Sequence, residues 1–187
     1  LFFKETDKSL NMDKPYGFLR AGIGEVAFIA DHETYLNQRP ALYAPFTRAK
    51  LMRYIRVMQD VVQKWLDNLP AEGKFDIVEE AAHLVAQVAG YCFGGTQFME
   101  TVGDEFWEHF ASIGKSMDPM LPPQWPLPKF RKRDKARARL EEILLPILKK
   151  RRENPDKYAD VLQDIIQTPY QNGELPNDSD LLGLTLA

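Results

Sequence analysis

Cys92 and three histidines, His32, His83 and His109, are the side chains best suited to hold a metal or attack a substrate. Their spacing gives them no shared chemistry. No H-x-x-x-H or H-E-x-x-H run occurs, so no helix face presents paired imidazoles to zinc. Cys92 lies in AGYCFGG without the basic neighbour a thiolate needs, and reads as a small buried hydrophobe rather than a nucleophile or ligand. With one cysteine the chain forms no internal disulfide. The glycines of GIGEV lack the lysine of a phosphate loop and most of a dinucleotide fingerprint, and no G-x-S-x-G occurs. These residues make no self-contained catalytic constellation, and no metal site is expected from them.

The densest charge is FRKRDKARAR, residues 130–139, which follows Pro122, Pro123, Trp125, Pro126 and Pro128. A proline inside a helix costs roughly 3 kcal/mol, so 122–128 reads as a loop that a helix follows. Arg131, Lys132, Arg133, Lys135, Arg137 and Arg139 then spread around that helix as a solvated face, with Asp134 placed to pair with Arg137 at i+3. A docking surface for an acidic partner and a nucleic-acid stripe are the competing readings. The net charge of -3 weighs against nucleic acid.

The elements that carry these residues are nearly all helical. The chain has 187 residues, 44% hydrophobic and 27% charged, an ordinary globular composition long enough to bury a core. No run of 18 apolar residues offers a membrane span. Apolar steps of three and four predict a helix over 48–69 on Leu51, Tyr54, Ile55, Met58, Val61, Val62, Trp65 and Leu66. A second, over 75–95, is apolar on most faces from Ala81 onward and predicts a buried central helix, capped by Asp76 and stopped at Gly94 and Gly95. Further helices are predicted over 101–117, 131–152 and 158–167, with a sixth from Asp178; AFIAD, 27–31, is the one candidate strand. The chain starts at Leu1 without methionine and stops inside the apolar LLGLTLA, so a piece of a longer protein is expected.

The proline–arginine stretch resembles the segment between the F and G helices of the cytochrome P-450 family, in its sterol 14α-demethylase branch. The pattern P-x-P-x-F-R-x-R-D-x-A-R is met by Pro126, Pro128, Phe130, Arg131, Arg133, Asp134, Ala136 and Arg137. In the same order, LNMDKPYGFL (10–19) resembles the B′ region and YLNQRPALYAPF (35–46) the C helix. KKRRENPDKYADVLQDII (149–166) is similar to the G-to-H passage, and NGELPNDSDLLGLTLA (172–187) to the approach to the I helix. The resemblance implies a mainly α fold, one incomplete P-450 domain over 1–187 running from the B′ helix to the early I helix.

It also implies site residues. Tyr16, Phe18, Leu19, Phe28, Met117, Met120, Leu121 and Pro122 would line the substrate pocket or its access channel. The family's C helix gives a basic side chain to a haem propionate, and here that is Arg39 after Gln38, with Tyr35 where other branches place a tryptophan. An arginine fork matches a carboxylate bidentately. Two departures stand out: Pro40 removes a helical hydrogen bond to residue 36, and Phe28 replaces a tyrosine whose hydroxyl reaches a propionate in sterol demethylases.

The parent implied is a haem-dependent monooxygenase that oxidatively demethylates a sterol, or hydroxylates a similar apolar substrate, with electrons from a reductase or ferredoxin. No nucleic acid is implied. Its place would be the cytoplasm in a bacterium and the endoplasmic reticulum membrane in a eukaryote. The chain alone is expected to be inactive: E-x-x-R, A-G-x-x-T and the haem-ligating cysteine do not occur in it, and Cys92 lacks the glycine-rich ligand loop. The alternative is a free-standing helical interaction module with no activity, exposing an apolar face larger than monomers usually do.

Overall fold

The computed structural model describes residues 13–24, 26 and 29–186. Among them every regular element is a helix. The first is short, α1 (Asp13–Tyr16), and passes through a 3-10 turn, Gly17–Leu19, into α2 (Arg20–Ile23). Then come α3 (His32–Tyr43), α4 (Arg48–Asp67), α5 (Ile77–Ser116), α6 (Pro128–Glu153), α7 (Val161–Gln167) and α8 (Asp178–Leu186). The candidate strand at 27–31 is not formed: among its described residues, Ile29 and Ala30 both donate their amides to Val26 O, which makes a turn.

Caps explain where several helices begin. Asp31 accepts from Thr34 N at 2.9 Å, Asp76 from Val78 N at 2.8 Å, and Asp160 from Gln163 N at 2.9 Å. Each satisfies an amide that has no partner inside its helix. Asp160 also explains why α7 starts at 161 and not at 158. Helix α6 starts three residues before the predicted 131, because Pro128 stands at its first turn, where a missing amide is no loss.

The core is made by one face each of α5, α6, α7 and α8. Leu140, Leu144 and Leu148 of α6 are almost wholly buried, beside Phe98, Val102, Phe106 and Ile113 of α5 and Leu181 and Leu182 of α8. Phe98 meets Phe106 edge-on at 5.8 Å, and Phe106 stacks on Phe110 at 6.1 Å. The apolar faces of α6 and of 101–117 are the ones that pack.

Helix α5 departs from expectation. It is broken at Gly95 (φ 71) and Gly103 (φ 60), backbone that a side chain rarely allows. The stop expected at Gly94 and Gly95 is thus a joint between helical rods. The stretch before it is no buried central helix: Ile77, Val78 and Val85 are 61%, 75% and 66% exposed. Only Gly90, Cys92 and Gly94 of that rod are buried. Helix α4 shares this openness, with Tyr54 and Val61 inside and Leu51, Ile55, Met58 and Leu66 outside.

A buried ion pair ties three elements together. Arg151, 1% exposed, donates from Nη1 and Nη2 to Asp160 Oδ1 and Oδ2 at 2.7 and 3.0 Å, and from Nη2 to Gly94 O at 2.5 Å. Its guanidinium lies 4.4 Å from the Tyr158 ring centroid.

Candidate functional site

The proline loop is fixed from both sides. Asp118 accepts from the amides of Met120 and Leu121 at 2.8 and 3.0 Å and pairs with Lys129, which together hold its carboxyl below the usual carboxylate range. Arg133 reaches back to Pro123 O at 3.0 Å and lies over the Phe130 ring at 4.9 Å. The basic run is therefore not wholly solvated. Arg133 is 4% exposed and pairs with Asp134 at 2.8 Å, while Arg137 leaves Asp134 alone and donates to Ala21 O at 3.4 Å. Arg139 bridges Glu105 and Glu142 at 2.6 and 2.7 Å. Lys–Arg spacing alone does not show the contacts to Ala21 and Glu105, because those acceptors lie far away in sequence.

Residues 20–24 and Val26 lie between α5 and α6 on one side and α8 on the other. A Cβ on Gly22 would stand 2.0 Å from Met117 Cε, so the methionine tip fills the space the glycine leaves. On the other side, a Cβ on Gly183 would stand 2.5 Å from Ile23 O and 2.4 Å from Val26 Cγ1. Both glycines are contacts that sequence reasoning passed over; a glycine inside an apolar helix, as in LLGLTLA, is the signal for Gly183.

Met117 and Leu19 are thus brought to one cluster, half-buried against the same core. Phe18, Leu121 and Pro122 are half-buried. Tyr16 and Met120 stand outward, 43% and 86% exposed. Phe28 lies outside the described residues.

Tyr35 and Arg39 belong to a different surface, on α3. They share an edge with Tyr43 at steps of four. The Arg39 guanidinium lies 5.0 Å from the Tyr43 ring centroid. The neighbouring Tyr43 hydroxyl raises the Tyr35 phenol above its ordinary value, with desolvation adding to it. Arg39 is exposed and makes no ion pair among the described residues. Gln38 is 4% exposed, its Oε1 without a hydrogen-bond partner. Pro40 sits within α3, which continues to Tyr43.

Cys92 is buried between α4 and α5, its Sγ 3.9 Å from Tyr54 O, and burial pushes its thiol up, away from thiolate chemistry. Among the described residues no three His, Cys, Asp or Glu side chains gather to hold a metal. No helix among them is long and apolar enough to cross a membrane.

No family model matches the chain. It is 28% identical to obtusifoliol 14-alpha demethylase of Triticum aestivum over 189 residues, which are all of this chain and 42% of that protein. It is 24% identical to lanosterol 14-alpha demethylase of Bos taurus over 191 residues, all of this chain and 38% of that protein. The chain thus spans about two fifths of the length of the curated relatives it matches. Among solved structures, cyanobacterial CYP120A1 with retinoic acid bound superposes with a TM-score of 0.77 over 92% of this chain and 39% of that one, at 21% identity. Likeness to the 14-alpha demethylases along all of its residues, joined to a helical fold shared with CYP120A1, supports the resemblance to the cytochrome P-450 family.

Proposed function

We propose that the chain is the substrate-access and propionate-binding part of a haem-thiolate monooxygenase that removes the 14α-methyl group of a sterol, or hydroxylates a similar apolar molecule. The observation that carries this reading is the alignment of every residue of the chain with proteins named for that reaction. Haem would supply the oxygen chemistry, with its thiolate ligand from a cysteine outside these residues. The chain's own residues suit the group: Arg39 presents a guanidinium with no carboxylate partner among the described residues, and a propionate is the bidentate partner its fork fits. Tyr35 and Tyr43 hold the edge from which it projects.

Around the substrate, Met117, Leu19, Phe18, Leu121 and Pro122 offer half-buried apolar surface, with Tyr16 and Met120 at the outer rim. These side chains would orient a sterol and exclude water, while a reductase or ferredoxin supplies electrons. The test is a spectral titration of the full-length protein. A 14α-methyl sterol shifts the haem absorbance to the high-spin form if the reading holds. A shift with fatty acids and none with sterols would move the protein to another part of the family.

A second reading has one observation of its own, the exposed apolar side chains of α4 and α5. Were the full-length protein to bind no haem, a helical interaction module would account for that surface better.

A further inference from the structure

The turn between α7 and α8 is fastened to α3 at a single residue. Gln171 N donates to the Asn37 carbonyl at 2.9 Å, and Asn172 N donates to Asn37 Oδ1 at 3.0 Å. The turn is closed on itself: Tyr170 N donates to Glu174 O at 2.8 Å and Gly173 N to Tyr170 O at 3.0 Å, with Gly173 at φ 87. Its far side holds α8, where Tyr170 Oη donates to Asp180 Oδ2 at 2.9 Å. Asn37 stands two residues before Arg39 and three before Pro40. Pro40 has no amide to give the Leu36 carbonyl, and prolines are where helices bend. The middle turn of α3 is therefore held least by its own hydrogen bonds, and there two amides arrive from outside.

We infer that the turn 170–174 positions Arg39, with Asn37 as the positioning residue. It restrains α3 beside the proline and so sets the direction in which the guanidinium leaves the helix. This rests on the reading of Arg39 as a propionate partner. The same turn grips α8, so the aim of Arg39 and the start of α8 are set by one element.

The test uses the full-length haem protein and reads haem transfer to an apo-globin acceptor, together with amide exchange at Gln171 and Asn172. Asn37→Ala removes one hydrogen bond and speeds haem loss about threefold to tenfold. Gly173→Val strains the turn from its own side and moves haem loss in the same direction. Arg39→Ala alone speeds it about tenfold or more, as loss of a charge-assisted pair requires. In the Arg39→Ala background, Asn37→Ala adds nothing. Equal acceleration with and without Arg39 would overturn the inference, leaving Asn37 a merely structural residue. So would faster amide exchange in Asn37→Ala with haem loss unchanged. Haem loss unmoved by Arg39→Ala itself would sink the propionate reading first and this inference with it, and that control tells the two failures apart.

Discussion

Replacing Arg151 with methionine should be the most damaging single change in this chain outside the aromatic core. Methionine keeps the apolar stem and removes the guanidinium. Three acceptor contacts go with it: both Asp160 oxygens and the Gly94 carbonyl. Asp160, 7% exposed, keeps only its bond from Gln163 N and becomes an uncompensated buried charge. Breaking a buried pair in this way costs about 3–5 kcal/mol. At about 2–4 °C per kcal/mol for a chain of this size, the midpoint should fall by roughly 10 °C. The assay is urea or thermal unfolding followed by circular dichroism at 222 nm. The double variant Arg151→Met with Asp160→Asn should be less damaged than either single change, because no charge is then left without its partner. A cost below about 1 kcal/mol for Arg151→Met, or a double variant that loses the sum of the singles, would refute the argument.

The two glycine contacts around residues 20–24 and Val26 should respond differently to alanine. Gly183→Ala meets the Ile23 carbonyl, which moves only with the chain, and should cost about 1–3 kcal/mol, with faster amide exchange at Ile23 and Val26. Gly22→Ala meets chiefly the mobile tip of Met117, with Ile113 Cγ2 at 3.1 Å beside it, and Met117→Ala should restore most of what it loses; unfolding midpoints of the three variants decide this. Burial pushes the Tyr54 phenol up to about 12 from an ordinary 10. The folded state thus favours the protonated form, and that stability is complete below pH 10 and lost as pH rises toward 12. Phenolate absorbance at 295 nm should show one late-titrating tyrosine fewer in Tyr54→Phe, with Tyr35 and Tyr170, whose phenols are also raised, still titrating late. The Asp118 carboxyl is lowered from 3.8 by Lys129 and the two amides, so its contribution is present above that pH and fades as the pH falls further. Wild-type and Asp118→Asn unfolding curves should therefore differ at pH 6 and converge under strong acid.

Helical periodicity made α4, α6 and the second half of α5 legible, because Leu140, Leu144 and Leu148 recur at the step of a helix face. The burial of 77–94 was misread for the opposite reason. Alanine, valine and glycine on every side look like core, yet burial depends on whether another element covers each face, and a single chain's periodicity does not say which. The strand over 27–31 failed because β-rich composition yields to a turn when Val26 O can accept two amides at once. For the candidate site, it was the family resemblance that pointed to Arg39 and the proline loop. Arg133, Arg137, Asn37 and the two close-contact glycines stayed hidden, since each meets a group on another segment of the chain rather than on its own.

The two joints in α5 divide the molecule by cooperativity. Beyond Gly95 the rods lock into the phenylalanine cluster and should open only when everything opens. Before it, the stretch 77–94 adds little to the interior and rests mainly on α4, so it has little to lose by separating. Amide exchange and proteolysis should see two populations of backbone, one protected by the whole domain and one by a hairpin alone. Arg151, reaching Gly94 at that boundary, is the clasp between them.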